Sequence, residues 1–333
     1  MDIQKLTIYE ISKLAGVSIT TVSRVLNGSD KVNAETKMKV EEVIHRYGYV
    51  PKQSARNFTR NEALAVGLLM DDIRHAYMSE LAYAINQELG IWKVEPVLCN
   101  IPDIEREFIT QVDNLVEKKV NGIILLGSVF ENKICRVAIE KRYSEMPFVT
   151  VNANLALPNV REVLQDQIQG TRDAVKYLFQ CGKRKIGWIY YHKSHSDKKK
   201  HEGFLQGVKK YKLPADYMCE TNDKSLEEGI RATEILLNSH PDTDAIIYSS
   251  DSLAVGGIHY MNRNSISIPD QIAVVGFNNS RSAKECYPTL TSIDNKTSDS
   301  GRAAAQLMID ILNGQKAESR MLVCGLEIRE STP

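Results

Sequence analysis

The sequence of 333 residues has few of the features that mark a secreted, membrane-bound or disulfide-stabilised protein. Its six cysteines form no CxxC pair, which argues against a zinc ribbon or a disulfide framework and favours reduced thiols. No apolar run approaches the length of a membrane-spanning helix, and the N-terminus has no apolar segment typical of a signal peptide. We therefore expect a cytoplasmic protein with no membrane partner.

The common motifs of nucleotide-dependent and hydrolytic enzymes are missing as well. Gly182-Lys183 lacks the preceding glycine and the following Ser or Thr of a P-loop, and no GxGxxG opens a helix after a strand. No GxSxG or HExxH occurs. The sequence therefore predicts no catalytic residue, no cofactor and no metal site.

The charge of the chain is unevenly distributed. A composition of 43% hydrophobic and 25% charged residues is typical of a globular protein, and the length suggests two or three domains. The net charge is zero, but residues 1–60 carry ten Lys and Arg against six Asp and Glu. A basic N-terminal region favours binding to the phosphates of a nucleic acid.

Two short helices separated by a turn are predicted within residues 8–28. Apolar residues recur at helical spacing on both sides of a break at residues 15–18. Gly16 provides the positive φ that a tight corner needs, and Ser18 is a favourable N-cap. This arrangement predicts a helix-turn-helix, whose second helix enters the DNA major groove. A small helical hairpin with a polar face is the alternative.

A third helix is predicted at residues 35–47, and the side chains expected to face inward are Met38, Val40, Val43 and Ile44. The polar segment 52–59 spans only about two turns, and helices this short are marginal in water. We interpret it as a linker that orders conditionally.

From Leu64 onward, continuous apolar runs alternate with amphipathic stretches. This alternation predicts an α/β architecture with buried parallel strands, and two sets of strands predict two doubly wound halves. The predicted strands are 64–70, 94–99, 122–127 and 148–152, followed by 185–191, 217–221, 245–249 and 272–277. The predicted helices are 77–89, 105–118, 168–179, 202–211, 226–237, 252–262 and 299–312.

Residues 192–201 are rich in histidine and lysine. Their spacing matches no zinc-binding pattern, and the lysines would repel a bound cation. We therefore expect a solvated loop in this segment.

Several motifs along the chain belong to one known pattern. They are Thr7-Ile8-Tyr9-Glu10-Ile11-Ser12, Ala15-Gly16-Val17-Ser18, Thr21-Val22-Ser23-Arg24-Val25-Leu26-Asn27, Tyr49-Val50-Pro51, Ser250-Asp251-Ser252-Leu253-Ala254-Val255-Gly256, Val274-Val275-Gly276-Phe277 and Pro288-Thr289-Leu290-Thr291-Ser292-Ile293. With them the sequence resembles the LacI/GalR family of bacterial transcription repressors over essentially its whole length.

The resemblance implies a fold and a set of domain boundaries. The expected fold is α/β, with a three-helix helix-turn-helix head and two doubly wound parallel-sheet subdomains similar to periplasmic binding proteins of type I. The head is expected at 1–50 and the hinge at 51–63. The core N-subdomain is expected at 64–164 and 294–324, and the C-subdomain at 165–293 and 325–333.

The resemblance also implies which residues contact DNA. Ile19 and Thr20 follow the N-cap and are the expected specificity pair, while Arg24 is expected to contact a guanine edge, worth about 1–3 kcal/mol of discrimination. For Arg24 a phosphate contact is the alternative, and Ile19 either presses on a thymine methyl or only faces the groove wall. The residues expected to hold the DNA backbone are Thr7, Ser18, Thr21, Ser23, Asn27 and Lys31.

In the hinge, the resemblance places Phe58 at the position of a leucine that wedges into the minor groove, with Ala55 beside it. An apolar wedge unstacks a base step at a cost of roughly a few kcal/mol and bends the duplex. Phe58 is bulkier than leucine, so the geometry of the kink is left open. Packing of Phe58 on the core is the alternative.

Polar residues follow the predicted strands, at the edge where α/β sheets bind ligands, and Tyr77 offers a flat face for a sugar ring. The expected effector-binding residues are Asp71, Asp72, Tyr77, Ser128, Asn152, Lys200, Ser250, Asp251 and Asn278. Three of them differ from sugar-responsive relatives, because Lys200 replaces an arginine fork, Ser250 an asparagine and Asn278 an aspartate. A carbohydrate or a derivative is the expected effector. The alternatives are an anionic ligand held by Lys200, an unusual sugar, or no ligand at all.

The sequence thus predicts a DNA-binding transcription regulator that is not an enzyme, most simply a repressor under allosteric control by a small metabolite. Its expected partners are a pseudo-palindromic double-stranded DNA operator, the effector and a second copy of the chain in a homodimer. One alternative is a regulator with an idle cleft, controlled by a partner protein. The other is an α/β enzyme with an accessory DNA-binding head.

Overall fold

The computed structural model describes residues 8–26, 32–46 and 64–333. The predicted hinge at 51–63 lies outside these residues. The described residues fall into two compact units, the helices of the head and the core.

Three helices form the head: α1 (Ile8–Ala15), α2 (Ile19–Leu26) and α3 (Ala34–Arg46). The side chains of Ile11, Val22, Val25 and Val40 are buried together between them. The predicted inward position of Met38 is wrong, because its side chain is 63% exposed, whereas Val43 and Ile44 do pack against this cluster. Among the described residues, one from α1, two from α2 and one from α3 thus form the buried core of the head.

The first sheet of the core has six parallel strands in the order β11-β5-β4-β3-β1-β2. The strands are β1 (Ala65–Met70), β2 (Glu95–Asn100), β3 (Gly122–Leu126), β4 (Phe148–Val151), β5 (Val160–Gln165) and β11 (Arg320–Leu322). The central strands β3 and β4 are buried along their whole length, which agrees with their continuous apolar sequences.

The second sheet also has six strands, in the order β12-β10-β9-β8-β6-β7. Its strands are β6 (Ile186–Tyr190), β7 (Met218–Glu220), β8 (Ala245–Tyr248), β9 (Ala273–Phe277), β10 (Thr291–Asp294) and β12 (Gly325–Glu327). All neighbours pair in parallel except β10 and β12, which are antiparallel. Two doubly wound sheets are therefore present, as the sequence predicts.

The helices of the core connect these strands. They are α4 (Ala76–Ile91), α5 (Ile104–Glu117), α6 (Lys133–Lys141), α7 (Gln167–Gln180), α8 (His195–Lys210), α9 (Leu226–Ser239), α10 (Asp251–Arg263), α11 (Arg281–Glu285) and α12 (Thr297–Leu312). A single 3-10 turn at Ser128–Phe130 follows β3. No helix of the described residues is long and apolar enough to cross a membrane.

The chain passes from one sheet to the other after β5, after β10 and again after β11. These crossings fall near Gln165, Asp294 and Leu322, close to the boundaries that the resemblance implies. The boundaries themselves remain a prediction.

The expectation of a solvated loop over residues 192–201 is wrong from His195 onward. Helix α8 begins at His195, and Ser194 caps it by accepting a hydrogen bond from the backbone N–H of Asp197. Asp197 and Lys200 are buried, with relative exposures of 0% and 3%. From His195 to His201, the segment that looks like a charged loop in sequence therefore forms the first two turns of a core helix.

Candidate functional site

The turn between α1 and α2 follows from the local sequence. Gly16 has a φ of 67°, and the N–H groups of Gly16 and Val17 donate to the carbonyls of Lys13 and Ser12. This is the Schellman arrangement that ends a helix at a left-handed residue. Ser18 then accepts a hydrogen bond of 3.1 Å from the N–H of Thr21 and so caps α2. The predicted corner and cap are both present.

The outer side of α2 carries the residues predicted to contact DNA. Ser18, Ile19, Thr20 and Arg24 are exposed, and Thr21 is half-buried. Ile19 is 44% exposed, so this apolar side chain lies on the surface and does not pack in the core of the head. Ser23 lies on the same helix. The remaining predicted contacts lie outside the described residues; they are Thr7, Asn27, Lys31, Ala55 and Phe58.

A cavity of about 690 Å³ lies at the carboxyl ends of strands from both sheets of the core. Its volume suits a mono- or disaccharide-sized ligand. The predicted effector-binding residues that line it are Asp71, Tyr77, Ser128, Asn152, Lys200, Ser250, Asp251 and Asn278. The sequence therefore predicts the position of the cleft and eight of its lining residues.

Asp72 is the predicted residue that does not line this cavity. Its carboxylate instead accepts hydrogen bonds from the Arg74 side chain, at 2.7 Å for the closest pair of atoms. These hydrogen bonds hold the pKa of Asp72 well below its usual range. The carboxylate is thus paired locally at the start of α4.

The first wall of the cleft, which we call the sheet-one wall, consists of Tyr77, Ser128 and Asn152. The Tyr77 hydroxyl and Oδ1 of Asn152 are both buried, and neither has a hydrogen-bond partner at good distance and angle among the described groups, although the Asn152 side chain is close enough to the hydroxyl to affect its pKa. Burial raises the pKa of Tyr77 well above its usual range, although the neighbouring Asn152 side chain opposes this in part. Buried polar atoms without a partner are rare, so these two atoms are suited to a ligand.

Asn152 is held in position by its backbone. It lies directly after β4 with a φ of 63°, a left-handed conformation that asparagine tolerates better than most residues. This conformation turns the chain at the edge of the sheet, where the side chain lines the cavity. A backbone conformation with positive φ costs free energy, and such strained conformations are found often at functional sites.

The opposite wall, the sheet-two wall, consists of Lys200, Ser250 and Asp251. Nζ of Lys200 donates a 2.9 Å hydrogen bond to the carbonyl of Ser249 and lies 4.1 Å from the centre of the Phe277 ring. Burial lowers the pKa of Lys200 to about 8, although the nearby carboxylate of Asp197 opposes the shift. The ammonium group is therefore already bound by the protein.

Asp197 lies behind the sheet-two wall, and its carboxylate compensates the positive charge of Lys200. Its Oδ1 is 2.8 Å from Nζ of Lys224 and 4.0 Å from Nζ of Lys200, and its Oδ2 accepts a 2.5 Å hydrogen bond from Ser194. Burial alone would raise the pKa of Asp197, but the two lysines outweigh burial and lower it. One carboxylate, that of Asp197, therefore compensates the charge of two ammonium groups.

Asp251 is also buried, and both oxygens of its carboxylate accept hydrogen bonds within the protein. Its carboxylate accepts hydrogen bonds of 2.6 Å from the Ser280 N–H and from the Ser292 hydroxyl. Burial raises the pKa of Asp251 to about 6, against the effect of these hydrogen bonds and of Lys200. Ser250 caps α10 by accepting from the N–H of Leu253. Both residues therefore have structural roles besides lining the cleft.

The two walls are joined at one side of the cavity. The N–H of Ser196, at the start of α8, donates a 3.2 Å hydrogen bond to the Ser128 hydroxyl. Nζ of Lys199 lies 3.8 Å from the carboxylate of Glu131, which follows the turn after β3. At the far edge, Asn278 has a φ of 105° and accepts a long hydrogen bond from Asn295.

The sequence does not predict four residues that line the cavity, which are Tyr191, Asp223, Lys224 and Asn295, or Asp197, which lies behind the sheet-two wall. For Asp197 a signal was available, because Ser194 followed three residues later by an acidic residue resembles a capping box and predicts the start of a helix. For Lys224 no such signal exists, since the loop after β7 reaches Asp197 only through the tertiary fold.

Comparison with known families agrees with this geometry. A family model described as bacterial regulatory proteins of the lacI family matches residues 7–52, and one for a periplasmic binding protein-like domain matches residues 175–332. A helix-turn-helix head followed by a core of this kind defines the class of the protein: it is a DNA-binding transcription regulator.

Two relatives match the chain along nearly its full length. An HTH-type transcriptional regulator of Lachnoclostridium phytofermentans is 30% identical over 338 residues, which covers 98% of this chain and 99% of that protein. The catabolite control protein A of Priestia megaterium is 30% identical over 333 residues, with the same coverage. The chain belongs to the LacI family of bacterial transcription regulators.

Solved structures show the same fold. The complex of the transcriptional regulator CelR with cellobiose has a TM-score of 0.71 and 25% identity, covering 98% of this chain and 99% of that one. The lac repressor dimer bound to operator and the anti-inducer ONPF has a TM-score of 0.72 and 22% identity, covering 99% of each chain. The two-sheet fold of the core is therefore the LacI fold.

Proposed function

We propose that this protein is a repressor of transcription whose affinity for DNA is controlled by a carbohydrate, or a carbohydrate derivative, bound in the cleft of the core. It acts in the cytoplasm, as a homodimer on a pseudo-palindromic operator, and it catalyses no reaction. The two relatives that match 98% of the chain are named as an HTH-type transcriptional regulator and a catabolite control protein.

The support on the DNA side is the outer surface of α2. Ile19, Thr20 and Arg24 are exposed on one short helix, and Val22 and Val25 of the same helix are buried. Arginine can bind two acceptors of guanine at once, and an exposed isoleucine fits a thymine methyl. We assign base reading to these three residues and backbone contacts to Thr7, Ser18, Thr21, Ser23, Asn27 and Lys31. Phe58 and Ala55 are assigned to the minor groove at the operator centre.

The observation that carries the effector proposal is the pair of buried, unpartnered atoms on the sheet-one wall. The Tyr77 hydroxyl can donate a hydrogen bond and Oδ1 of Asn152 can only accept one. A sugar hydroxyl does both, because it accepts with its lone pairs and donates its proton. The same surface lines a cavity of about 690 Å³. The transcriptional regulator CelR, whose fold is similar to that of this chain, has been solved as a complex with cellobiose.

The proposed mechanism is a population shift. A carbohydrate that binds both walls favours one relative position of the two sheets, and the altered position of the first sheet changes how well two heads fit one operator. Only a ligand that binds the two states with different affinity can act in this way, and couplings of about 1–3 kcal/mol are typical. The sign of the response decides between inducer and corepressor.

The experiment is a thermal-shift screen of the purified full chain against neutral mono- and disaccharides. A carbohydrate present at 100 times its Kd should stabilise the fold by about 2.7 kcal/mol and raise Tm by a few degrees. The hit is then added to the protein on DNA selected from a random duplex library. A change in DNA affinity of about fivefold or more is expected.

The matched variant for this screen is Tyr77→Phe, which removes only the hydroxyl. It should reduce the stabilisation by the hit without changing DNA affinity in the absence of ligand. If no carbohydrate raises Tm while DNA binding remains specific, the effector part of the proposal fails and the cleft is idle.

A further inference from the structure

The cleft contains an unusual arrangement of charge. Four ionisable groups lie together at the sheet-two wall: the ammonium groups of Lys200 and Lys224 and the carboxylates of Asp197 and Asp251. Lys200, Asp197 and Asp251 are buried, with exposures of 3%, 0% and 2%. We propose that Asp197 makes this cleft select uncharged carbohydrates and reject anionic ones such as sugar phosphates. This inference rests on the proposed role of the cleft as the effector site.

The ammonium group of Lys200 has little charge to offer a ligand, because the protein already compensates it. Its Nζ donates to the carbonyl of Ser249, lies against the Phe277 ring and is 4.0 Å from Asp197. An anion in the cavity would have to replace these contacts or add to them. A buried cation that is already compensated gains little from a second anion.

Lys224 is held in the same way. Its Nζ lies 2.8 Å from Oδ1 of Asp197 and 5.1 Å from the centre of the Tyr191 ring. The carboxylate of Asp197 therefore compensates the positive charge of both lysines. Because Asp197 is fully buried behind the wall, a ligand in the cavity cannot displace this carboxylate. Two carboxylates and two ammonium groups leave this part of the cleft without net charge.

The rim of the cavity is acidic. Asp71, Glu105 and Asp223 line it, and the described residues form no ion pair with any of the three. Lys193 is the lysine of the lining that remains outside the buried group, and its Nζ lies over the Tyr191 ring. An incoming anion therefore meets more negative than positive charge, which lowers both its affinity and its rate of entry.

The sheet-one wall favours a hydroxyl over a phosphate. Oδ1 of Asn152 accepts hydrogen bonds and has no donor among the described groups. A phosphate dianion offers only acceptors and would leave this atom unpaired, whereas a sugar hydroxyl donates to it. Leaving a buried acceptor unpaired reduces affinity.

The test compares wild type with Asp197→Asn by titration calorimetry at pH 6.5, which is below the pKa of about 8 of Lys200. The probes are glucose, glucose 6-phosphate and inorganic phosphate. Wild type should bind glucose 6-phosphate no better than glucose. Asp197→Asn keeps the shape of the side chain but uncovers two ammonium groups, so it should bind phosphate at least about tenfold more tightly than wild type does. Asp270→Asn, an exposed residue that does not line the cavity, is the matched control and should leave phosphate binding unchanged.

Two results would overturn the inference: equal phosphate affinity in wild type and folded Asp197→Asn, or a wild type that prefers glucose 6-phosphate to glucose. Should Asp197→Asn not fold, as judged by circular dichroism, the double variant Asp71→Asn/Asp223→Asn replaces it. This variant should increase phosphate affinity about threefold at low salt and lose the gain at high salt, and no gain at low salt counts against the inference. A failure of every neutral carbohydrate to bind refutes the proposed function instead, because the comparison of phosphate binding does not depend on it.

Discussion

The two walls of the cleft differ in what their polar groups contact. On the sheet-one wall, the Tyr77 hydroxyl and Oδ1 of Asn152 are buried without a partner. On the sheet-two wall, Lys200 and Asp251 are buried and bound to the protein itself. Under the proposed function, the polar groups of the first wall pair with the ligand, whereas those of the second wall are already paired within the protein and only line the cavity.

The two arrangements have different energetic consequences. An unpartnered buried polar atom costs about 1–3 kcal/mol in the free protein, and a ligand that pairs with it recovers that cost. A compensated buried ion pair contributes little net stability, but removal of one partner is expensive. Substitutions on the first wall should therefore change affinity, and substitutions behind the second wall should change stability.

The largest effect is expected from Asp197→Ala. It leaves Lys200 and Lys224 without their shared carboxylate, so the free energy of unfolding should fall by about 3–5 kcal/mol. Urea unfolding followed by circular dichroism measures it. Asp270→Ala removes an exposed carboxylate and should change stability by no more than about 0.5 kcal/mol. Equal effects of the two variants would show that Asp197 is not the residue that compensates the lysines.

A smaller effect is expected from the titration of Asp251. Its pKa is about 6 in the folded protein and 3.8 in the reference state, so the folded protein binds this proton more tightly. Protonation of Asp251 therefore stabilises the folded protein. The free energy of unfolding begins to rise as the pH falls through about 7, and the rise is complete below about 4. Relative to Asp251→Asn, wild type should gain about 2 kcal/mol between pH 7 and pH 4. A difference that stays constant with pH would contradict the raised pKa.

The smallest effect on stability is expected from Tyr77→Phe. The hydroxyl that it removes is buried without a partner, so the free energy of unfolding should remain within about 1 kcal/mol of wild type, or rise. Thermal unfolding without ligand measures this, and Tyr248→Phe is the matched control. The Tyr248 hydroxyl is hydrogen-bonded to Thr233 at 2.8 Å, and its removal should lower stability by about 1 kcal/mol or more. A larger loss for Tyr77→Phe than for Tyr248→Phe would mean that the Tyr77 hydroxyl is not free for a ligand.

The sequence predicts the elements whose pattern is local and strong. The apolar runs of β1, β3 and β9 give buried strands within a residue or so of the predicted bounds, and Gly16 and Ser18 give the turn and cap of the head. Strand β5 is not predicted, because its sequence VREVLQ mixes buried with half-buried positions and includes an arginine and a glutamate. Helix α6 is not predicted either, although Asn132 caps it.

The cleft is predicted in position but only in part in chemistry. Residues that directly follow strands, such as Asn152 and Ser250, can be assigned from the rule that ligands bind at carboxyl ends of strands. The partners of Lys200 cannot, because Asp197 is in a segment that looks solvated and Lys224 comes from a loop after another strand. Burial of a charge depends on distant chain segments, which a local pattern does not contain.

The most direct test of the account is selection of DNA by the full chain from a random duplex library, with and without the carbohydrate that raises Tm. Wild type should enrich a pseudo-palindromic motif over scrambled competitor at moderate salt, and Arg24→Ala should enrich it less. The carbohydrate should change how much of this DNA is retained, as the account requires. A wild type that enriches no duplex under either condition would contradict it.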